Sequence, residues 1–252
     1  MNKKNILTKS EKEIAIMIEG GRKLAEVKKR LAESVEIGGN AKNIEDVATD
    51  LIEKNGGKPS FRMVPNYSWA TCVNINEGVV HGIPRPEIVF KKGDVVSVDV
   101  GLFYKGFHTD TSFTVGLGVS AEMEKFLETG KKALSMAISA TKAGGRIYDI
   151  SQAIETTLVS QGYHAVSALI GHGVGRELHE EPQIPGFTQG ERGDSPIIPI
   201  GATLAIEVIY TMGSPNIMVG RDGWTIYMRD GKISALYEDT VAVTKEGTIL
   251  LT

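Results

Sequence analysis

The sequence has little of what marks several large classes of protein. Its single cysteine, Cys72, cannot form an internal disulfide, which fits a reducing compartment. No segment approaches the roughly 20 apolar residues of a membrane span, and the polar start lacks the apolar centre of a secretory signal. Its 28 basic and 31 acidic side chains nearly balance, which argues against a polyanion binder. We therefore expect a cytoplasmic monomer without a membrane or sequence-specific nucleic-acid partner.

The hydrophobic pattern predicts helices and strands in an orderly succession. The 252 residues are 41% hydrophobic, which suits one large domain or two small ones closely joined. A first helix is predicted over about 10–35, with Ser10 and Glu13 as a capping box, and a second after Asn40. Strand-like segments follow, then two more helices beginning near Ser120, then a strand-rich remainder. This order predicts an α+β fold.

The succession of two helices followed by strands occurs twice, which suggests an internal repeat. The short helical pattern at 44–47 is similar to that at 147–150. A glycine six residues before an acid on an apolar strand also recurs at a similar offset, as Gly93 with Asp99 and Gly201 with Glu207. We therefore expect a single domain, 1–252, made of two halves at about 10–117 and 120–250. A pseudo-twofold axis would relate the halves.

Four acidic residues lie in the most apolar strand-like segments, where a carboxylate without partners is costly to bury. They are Asp99, Asp110, Glu207 and Glu238. One interpretation is that each faces solvent or pairs with a basic side chain. Four such positions together favour a shared cation.

The spacing of Asp99 and Asp110 suggests that they are neighbours on a hairpin. The turn signal between them is Tyr104-Lys105-Gly106. A turn centred between Tyr104 and Lys105 would place the two carboxylates directly opposite each other, about 5 Å apart at Cβ. Like charges at that separation share a proton or require a cation.

A histidine, His172, lies within the glycine-rich segment Gly171–Gly175. A nucleotide-binding loop and an ordinary turn are the alternatives, but the prolines downstream argue against the helix that a nucleotide loop requires. One imidazole with four carboxylates suits two divalent ions. A hydroxide bridging the ions would be the natural nucleophile.

With these residues in this order, the sequence resembles the type I methionine aminopeptidases and, more broadly, the pita-bread family of metallopeptidases. The match covers nearly the whole chain, and its short interval between the last two acids lacks room for the insertion of type II enzymes. The resemblance implies a pita-bread fold whose central sheet carries a dinuclear metal site. The metal ligands that it implies are Asp99, Asp110, His172, Glu207 and Glu238.

The resemblance also implies an activity, the removal of the initiator methionine from nascent polypeptides. Glu207 would relay a proton from water to the leaving amine. His179 would hydrogen-bond the oxyanion, and His81 would contact the peptide nitrogen. The ligand set fits two divalent ions, Mn, Fe, Co or Zn, without choosing among them.

Several positions of the implied substrate pocket match the family, and others depart from it. Tyr67, Cys72 and Trp224 match substrate-binding positions, although each could also be plain packing. The departures, which would alter the pocket's shape, are Phe61, Leu178, Val208, Ile209 and Leu236. A proline-directed peptidase of the same fold and a non-catalytic peptide-binding relative therefore stay as alternatives.

Two further features have open interpretations. His108 could brace Asp110 from behind. Lys28, Lys29 and Arg30 could contact ribosomal RNA or form a solvated helix face.

Overall fold

The computed structural model describes residues 6–252. Its helices are α1 (Glu11–Ser34), α2 (Ala41–Lys54), α3 (Ala121–Ala140) and α4 (Ile147–Val159). Its strands are β1 (Lys58–Pro59), β2 (Thr71–Ile75), β3 (Gly78–Val80), β4 (Val95–Tyr104), β5 (Phe107–Gly116), β6 (His164–Ala165), β7 (Ile170–Gly173), β8 (Glu180–Pro185), β9 (Thr203–Thr211), β10 (Ile217–Val219), β11 (Ile226–Met228), β12 (Ser234–Val243) and β13 (Thr248–Leu250). Short 3₁₀ helices lie at Phe61–Met63 and Arg192–Asp194.

The helices begin where their capping residues predict. Ser10 and Glu13 form the expected capping box, in which the Glu13 carboxylate accepts from the Ser10 backbone N–H at 2.8 Å. Asn40 caps α2 and Ser120 caps α3 through their side-chain oxygens. Each cap satisfies a backbone donor that the first helical turn leaves unpaired. The prediction of an α+β fold is confirmed.

The strands form one large antiparallel sheet and one small one. The path through the ten-stranded sheet runs β1-β4-β5-β12-β9-β7-β8, with β2 and β6 beside β4 and β9 and with β13 beside β12. Strands β10, β11 and β3 form a separate three-stranded sheet. In the large sheet, β5 of the β4–β5 hairpin pairs with β12, and β12 pairs in turn with β9, so strands from much later in the chain lie next to the hairpin. The pseudo-twofold relation between two halves stays a prediction.

The helix pairs cover one face of the large sheet. Leu24 of α1 and Ile44 of α2 pack in one apolar cluster with Val98 of β4. In a second cluster, residues of α3 and α4 pack against Ile206 of β9. Because side chains alternate along a strand, Asp99 and Glu207, the neighbours of these apolar residues, project from the opposite face.

The tip of the β4–β5 hairpin differs from the prediction by one residue. Tyr104 pairs with Phe107, so the turn consists of Lys105 and Gly106. Both have positive φ, 48° and 92°, as a two-residue turn matched to the twist of the flanking strands requires. The prediction of a turn centred between Tyr104 and Lys105 was therefore wrong, since Gly106 belongs inside the turn.

This shift moves the two acids of the hairpin out of direct opposition. Asp99 pairs with Ser112, whereas Asp110 pairs with Gly101. The two carboxylates still share a face, because moving the turn by one residue moves each cross-strand partner by two positions. They are diagonal neighbours, a distance that side chains can bridge.

Lys28 on α1 also differs from the interpretation as part of a solvated face. Its Nζ donates to Asp239 Oδ1 at 2.6 Å, behind the strand that carries Glu238. The neighbouring Arg30 is exposed and pairs with Glu33. Ribosome contact by this helix stays a prediction.

Among residues 6–252, no helix is both long enough and apolar enough to span a bilayer.

Replacing the turn glycine tests the register of the hairpin. Gly106→Ala places a Cβ in a left-handed conformation, so we expect the free energy of unfolding to fall by about 1 kcal/mol. Urea denaturation of the metal-free protein measures this change. Gly193→Ala is the matched control, because an added Cβ there meets nothing within 4 Å. Equal stability of the two variants would contradict the assigned turn.

Candidate metal centre and active site

Three of the predicted acids lie in one row across four adjacent strands. Asp99 of β4 pairs with Ser112 of β5, Ser112 pairs with Glu238 of β12, and Glu238 pairs with Glu207 of β9. Directly opposed residues of antiparallel strands share a face of the sheet. The register alone therefore brings these carboxylates together on the face away from the helices.

The remaining two residues lie one row further along the same face. Asp110 precedes Ser112 by two residues, and His172 of β7 pairs with Ala205 of β9. Ligand atoms of Asp110, His172 and Glu238 all lie within 4.8 Å of one another. His172 Nε2 is 3.4 Å from Glu207 Oε1. We call these residues the acidic cluster, and its members are Asp99, Asp110, His172, Glu207 and Glu238.

Within residues 6–252, no lysine or arginine side chain forms an ion pair with a carboxylate of the acidic cluster. The oxygens Asp99 Oδ1 and Glu238 Oε1 are buried and have no hydrogen-bond partner. The nearby Lys28 reaches the backbone oxygen of Glu238 at 3.4 Å, and its ion pair is with Asp239. Pairing with basic side chains therefore does not explain these acids. Orphaned, buried carboxylate oxygens fit the hard oxygen donors that divalent cations bind.

Burial and mutual repulsion change the protonation of the cluster. Burial raises the pKa of Asp99 to about 7. For Asp110, Glu207 and Glu238, burial first and the neighbouring carboxylates second raise the pKa well above its ordinary value. Burial lowers the pKa of His172 to about 4, which keeps the imidazole neutral, the form that ligates metals.

Two histidines lie at the exposed margin of the cluster. The His179 ring is 4.5 Å from the His172 ring, centroid to centroid. His81 follows β3 with a left-handed φ of 59°, and its ring is 6.4 Å from that of Trp224. Partial desolvation lowers the pKa of both His81 and His179. Both rings are therefore neutral near pH 7, so each can donate one hydrogen bond and accept another.

The backbone around His81 is held by strand β2. Asn74 Oδ1 accepts from the Gly82 backbone N–H at 3.0 Å, and the Val73 N–H donates to the Gly82 carbonyl at 2.8 Å. A Cβ at position 82 would lie 2.1 Å from the Val73 oxygen. Only glycine fits there, so the turn after His81 can lie directly against the sheet.

Comparison with known proteins decides the family. The family model of metallopeptidase family M24 matches residues 15–245. The chain belongs to metallopeptidase family M24. Together with the buried acidic cluster, this membership indicates that the protein binds divalent metal.

Curated and solved M24 relatives match this chain over nearly its whole length. The methionine aminopeptidase of Clostridium perfringens is 36% identical over 248 residues, covering 98% of both chains. That of Aquifex aeolicus is 37% identical over 250 residues, covering 96% of this chain and 97% of its own. The structure of methionine aminopeptidase from Thermotoga maritima has a TM-score of 0.95 at 36% identity, covering 98% of this chain and 99% of that one.

A prolidase from Pyrococcus furiosus shares the fold at greater distance. Its TM-score is 0.75 at 23% identity, and the match covers 97% of this chain but 65% of the prolidase. The expected pita-bread fold is confirmed by these structural matches.

An apolar cluster of side chains adjoins the acidic cluster of this M24 protein. Cys72 pairs with Asp99 across β2 and β4, so its side chain lies on the same face. The Tyr67 hydroxyl donates to the Thr71 carbonyl at 2.9 Å and lies 3.2 Å from Cys72 Sγ. The ring of Trp224 meets Tyr67 edge-on at 5.0 Å. The predicted substrate-binding residues Tyr67, Cys72 and Trp224 therefore lie in one packed cluster, which we call the aromatic pocket after the substrate pocket predicted from the sequence.

The residues that depart from the family pattern are divided among three places. Phe61 and Leu178 belong to the aromatic pocket. Ile209 and Leu236 pack together in a separate apolar cluster, whereas Val208 faces the helices. Of these departures, only Phe61 and Leu178 are members of the aromatic pocket.

The prediction from sequence missed one residue of the site and assigned another to a different partner. His108 Nδ1 hydrogen-bonds Ser60 Oγ at 2.9 Å rather than Asp110. Ser112 lies between two of the acids and was missed, although its position two residues after Asp110 gives it the same face. Its Oγ is buried without a partner. His164 is exposed on β6, away from these residues in the sheet.

Removing one buried acid tests the electrostatics of the metal-free site. Asp99 has a pKa of about 7 in the folded protein and about 3.9 when unfolded, so its protonated form favours folding below about pH 4. That stability is lost as the pH rises through 7. We expect Asp99→Asn to become progressively more stable than the parent protein between about pH 4 and pH 7, the pKa values of the unfolded and folded states.

Urea denaturation in the presence of chelator measures this difference. Asp46→Asn, at an exposed position on α2, is the matched control. A stability difference for Asp99→Asn that stays constant with pH would contradict the expected repulsion. Added Mn²⁺ should reverse the order, since the parent protein keeps the full set of anionic ligands.

Proposed function

We propose that this M24 metallopeptidase removes the N-terminal methionine from nascent polypeptides. The observation that carries the proposal is the acidic cluster, whose carboxylates pair with no lysine or arginine among residues 6–252 and which adjoins an apolar cluster of aromatic side chains. Full-length similarity to relatives named methionine aminopeptidase supports the same activity. Two residue sets would then divide the work, one holding metal and the other holding substrate.

The acidic cluster would hold two divalent ions. Its four carboxylates balance the charge of two such ions, and its oxygen-rich donors with a single imidazole fit Mn, Fe, Co or Zn. Asp99, Asp110 and Glu238 would supply ligands to the pair, with His172 and Glu207 completing the set. When bound, divalent ions polarise the scissile carbonyl and lower the pKa of water, which supplies the nucleophile.

Glu207 would move the proton during the reaction. Its carboxylate lies 3.4 Å from His172 Nε2, within the proposed metal site, where it can reach a water molecule held there. It would take a proton from the attacking water and deliver it to the leaving amine. Its position in the sheet, opposite Glu238, fixes it for that transfer.

The two marginal histidines would orient the substrate. Neutral His179, beside His172, would donate a hydrogen bond to the carbonyl oxygen as negative charge develops there. His81 would contact the nitrogen of the scissile bond from the other side of the aromatic pocket. Both roles need one N–H donor and no positive charge, which matches their lowered pKa.

The aromatic pocket would hold the methionine side chain. Tyr67, Trp224 and Cys72 offer an apolar surface, and a thioether contacts aromatic rings favourably. Phe61 and Leu178 belong to the same cluster, so they would set how strictly methionine is selected. Nascent chains are the proposed partners, and ribosome contact, cytoplasmic location and a monomeric state remain expectations.

Peptide hydrolysis tests the proposed activity. We expect Met-Ala-Ser to be cleaved in the presence of Mn²⁺ or Co²⁺. A peptide beginning Met-Lys should be cleaved at no more than about a tenth of that rate, because the larger second side chain fits poorly. Chelator and His172→Ala should each abolish cleavage.

Two other activities are outcomes of the same assay. Faster cleavage of an Xaa-Pro peptide than of Met-Ala-Ser would favour the proline-directed peptidases, whose fold this chain shares. Binding of peptide without cleavage at any metal concentration would indicate a non-catalytic relative. Cleavage that resists both chelation and His172→Ala would contradict the metal-dependent mechanism.

The role of His179 has its own test. His179→Ala should lower kcat by roughly 10²- to 10³-fold, since one donor to the oxyanion is lost. Calorimetric titration with Mn²⁺ should show unchanged affinity, because this side chain is outside the ligand set. The exposed His164→Ala is the control and should keep full activity. An equal loss in both variants would contradict the assignment.

A further inference from the structure

Residues 8–10, just before α1, run beside the loop that joins His172 to His179, and we call them the N-terminal segment. Thr8 forms a bridge with Ala202, and the Lys9 backbone N–H donates to the Gly201 carbonyl at 2.8 Å. These contacts fix Lys9 next to the start of β9. We call residues 174–179, between β7 and β8, the histidine loop.

The Lys9 side chain is fully buried against this loop. Its ammonium donates to the Val174 carbonyl at 2.9 Å and forms an ion pair with Glu180. The exposed fractions of the two side chains are 0% and 1%. Burying two charges is costly, and an apolar pair of similar volume often stabilises a protein as well or better. The pair therefore calls for an explanation other than stability.

Glu180 uses its second oxygen to shape the loop. Glu180 Oε1 accepts from the backbone N–H of Arg176 at 2.7 Å and of Glu177 at 3.2 Å. These bonds fold the histidine loop back onto its own end. Since His179 immediately precedes Glu180, the position of this carboxylate determines where the backbone of His179 lies, and so where its imidazole extends from.

The histidine loop leaves space for the lysine at one residue. A Cβ at Gly175 would lie 2.2 Å from Lys9 Cε and 2.6 Å from Nζ. The Gly175 carbonyl accepts from the His108 N–H at 2.6 Å, which ties the same residue to β5. Further out, the Arg176 guanidinium pairs with Glu13 of α1 at 2.5 Å. The loop is thus clamped between the N-terminal segment and the sheet.

We propose that Lys9 is a positioning residue for His179, acting through Glu180. The ammonium fixes the Glu180 carboxylate, the carboxylate fixes the fold of the histidine loop, and the loop holds the imidazole beside His172. Lys9 itself contacts neither the acidic cluster nor the aromatic pocket. The inference rests on the proposed function, in which His179 contacts the substrate.

A double-mutant cycle tests the connection to catalysis. Lys9→Met keeps an apolar stem and removes the charge, and it should lower kcat about tenfold through misplacement of His179, with KM little changed. In the His179→Ala background, the same substitution should have no further effect on kcat. Losses that multiply in the two backgrounds would overturn the proposal, because Lys9 would then act independently of His179.

Hydrogen exchange provides a readout that does not depend on activity. In metal-free protein, Lys9→Met should speed amide exchange in the histidine loop at least about tenfold, with α3 and α4 unchanged. Unchanged exchange in the loop would overturn the proposal. If the parent protein lacks peptidase activity but the loop loosens as expected, the proposed function fails while the structural coupling from Lys9 to the loop stands.

A second variant keeps the test valid if Lys9→Met alone folds poorly. Lys9→Met/Glu180→Gln removes both charges, so it should recover the melting temperature without recovering kcat. Recovery of kcat would show that the pair only balances charge, and would overturn the proposal. Lys12→Met, an exposed lysine in the first turn of α1, is the matched control and should retain activity and loop protection.

Discussion

The dominant constraint on this structure is that four carboxylates lie close together in one sheet and, within residues 6–252, none of them pairs with a lysine or arginine. Asp110 and Glu238 are buried, and the other two acids are partly buried. Two of them, Glu207 and Glu238, are directly opposed on neighbouring strands. Their repulsion works against folding, so the rest of the sheet must hold them in place. The helix pairs provide that support, because they bury the apolar face of the same strands.

The site consequently has a rigid part and an adjustable part. The acidic cluster comes from the strands β4, β5, β7, β9 and β12, whose backbones are paired on both sides. His81 and His179 lie outside strands, and each depends on a nearby contact, with Asn74 in one case and the Lys9–Glu180 pair in the other. The proposed metal ligands are thereby positioned by strand register, whereas the proposed substrate contacts are positioned by loops.

Local patterns were sufficient to predict much of this arrangement. The capping residues Ser10, Asn40 and Ser120 placed three helix starts, because a cap depends only on nearby chain. Acids flanked by apolar residues indicated the site, since burial of each was implied by its neighbours. The predicted pairing of β4 with β5 was wrong by two positions, because the position of the turn depends on which residues adopt positive φ. The Lys9–Glu180 pair joins residues 171 positions apart, and no local pattern could indicate it.

The raised pKa of each acid in the cluster also links metal loading to protons. The folded, metal-free protein therefore holds protons on these carboxylates up to a higher pH than exposed acids do, whereas ligated carboxylates carry none. An ion that enters the protonated site displaces protons into solution, so loading is an exchange reaction. Its apparent affinity therefore rises with pH, and acidification of the surroundings favours release of the metal.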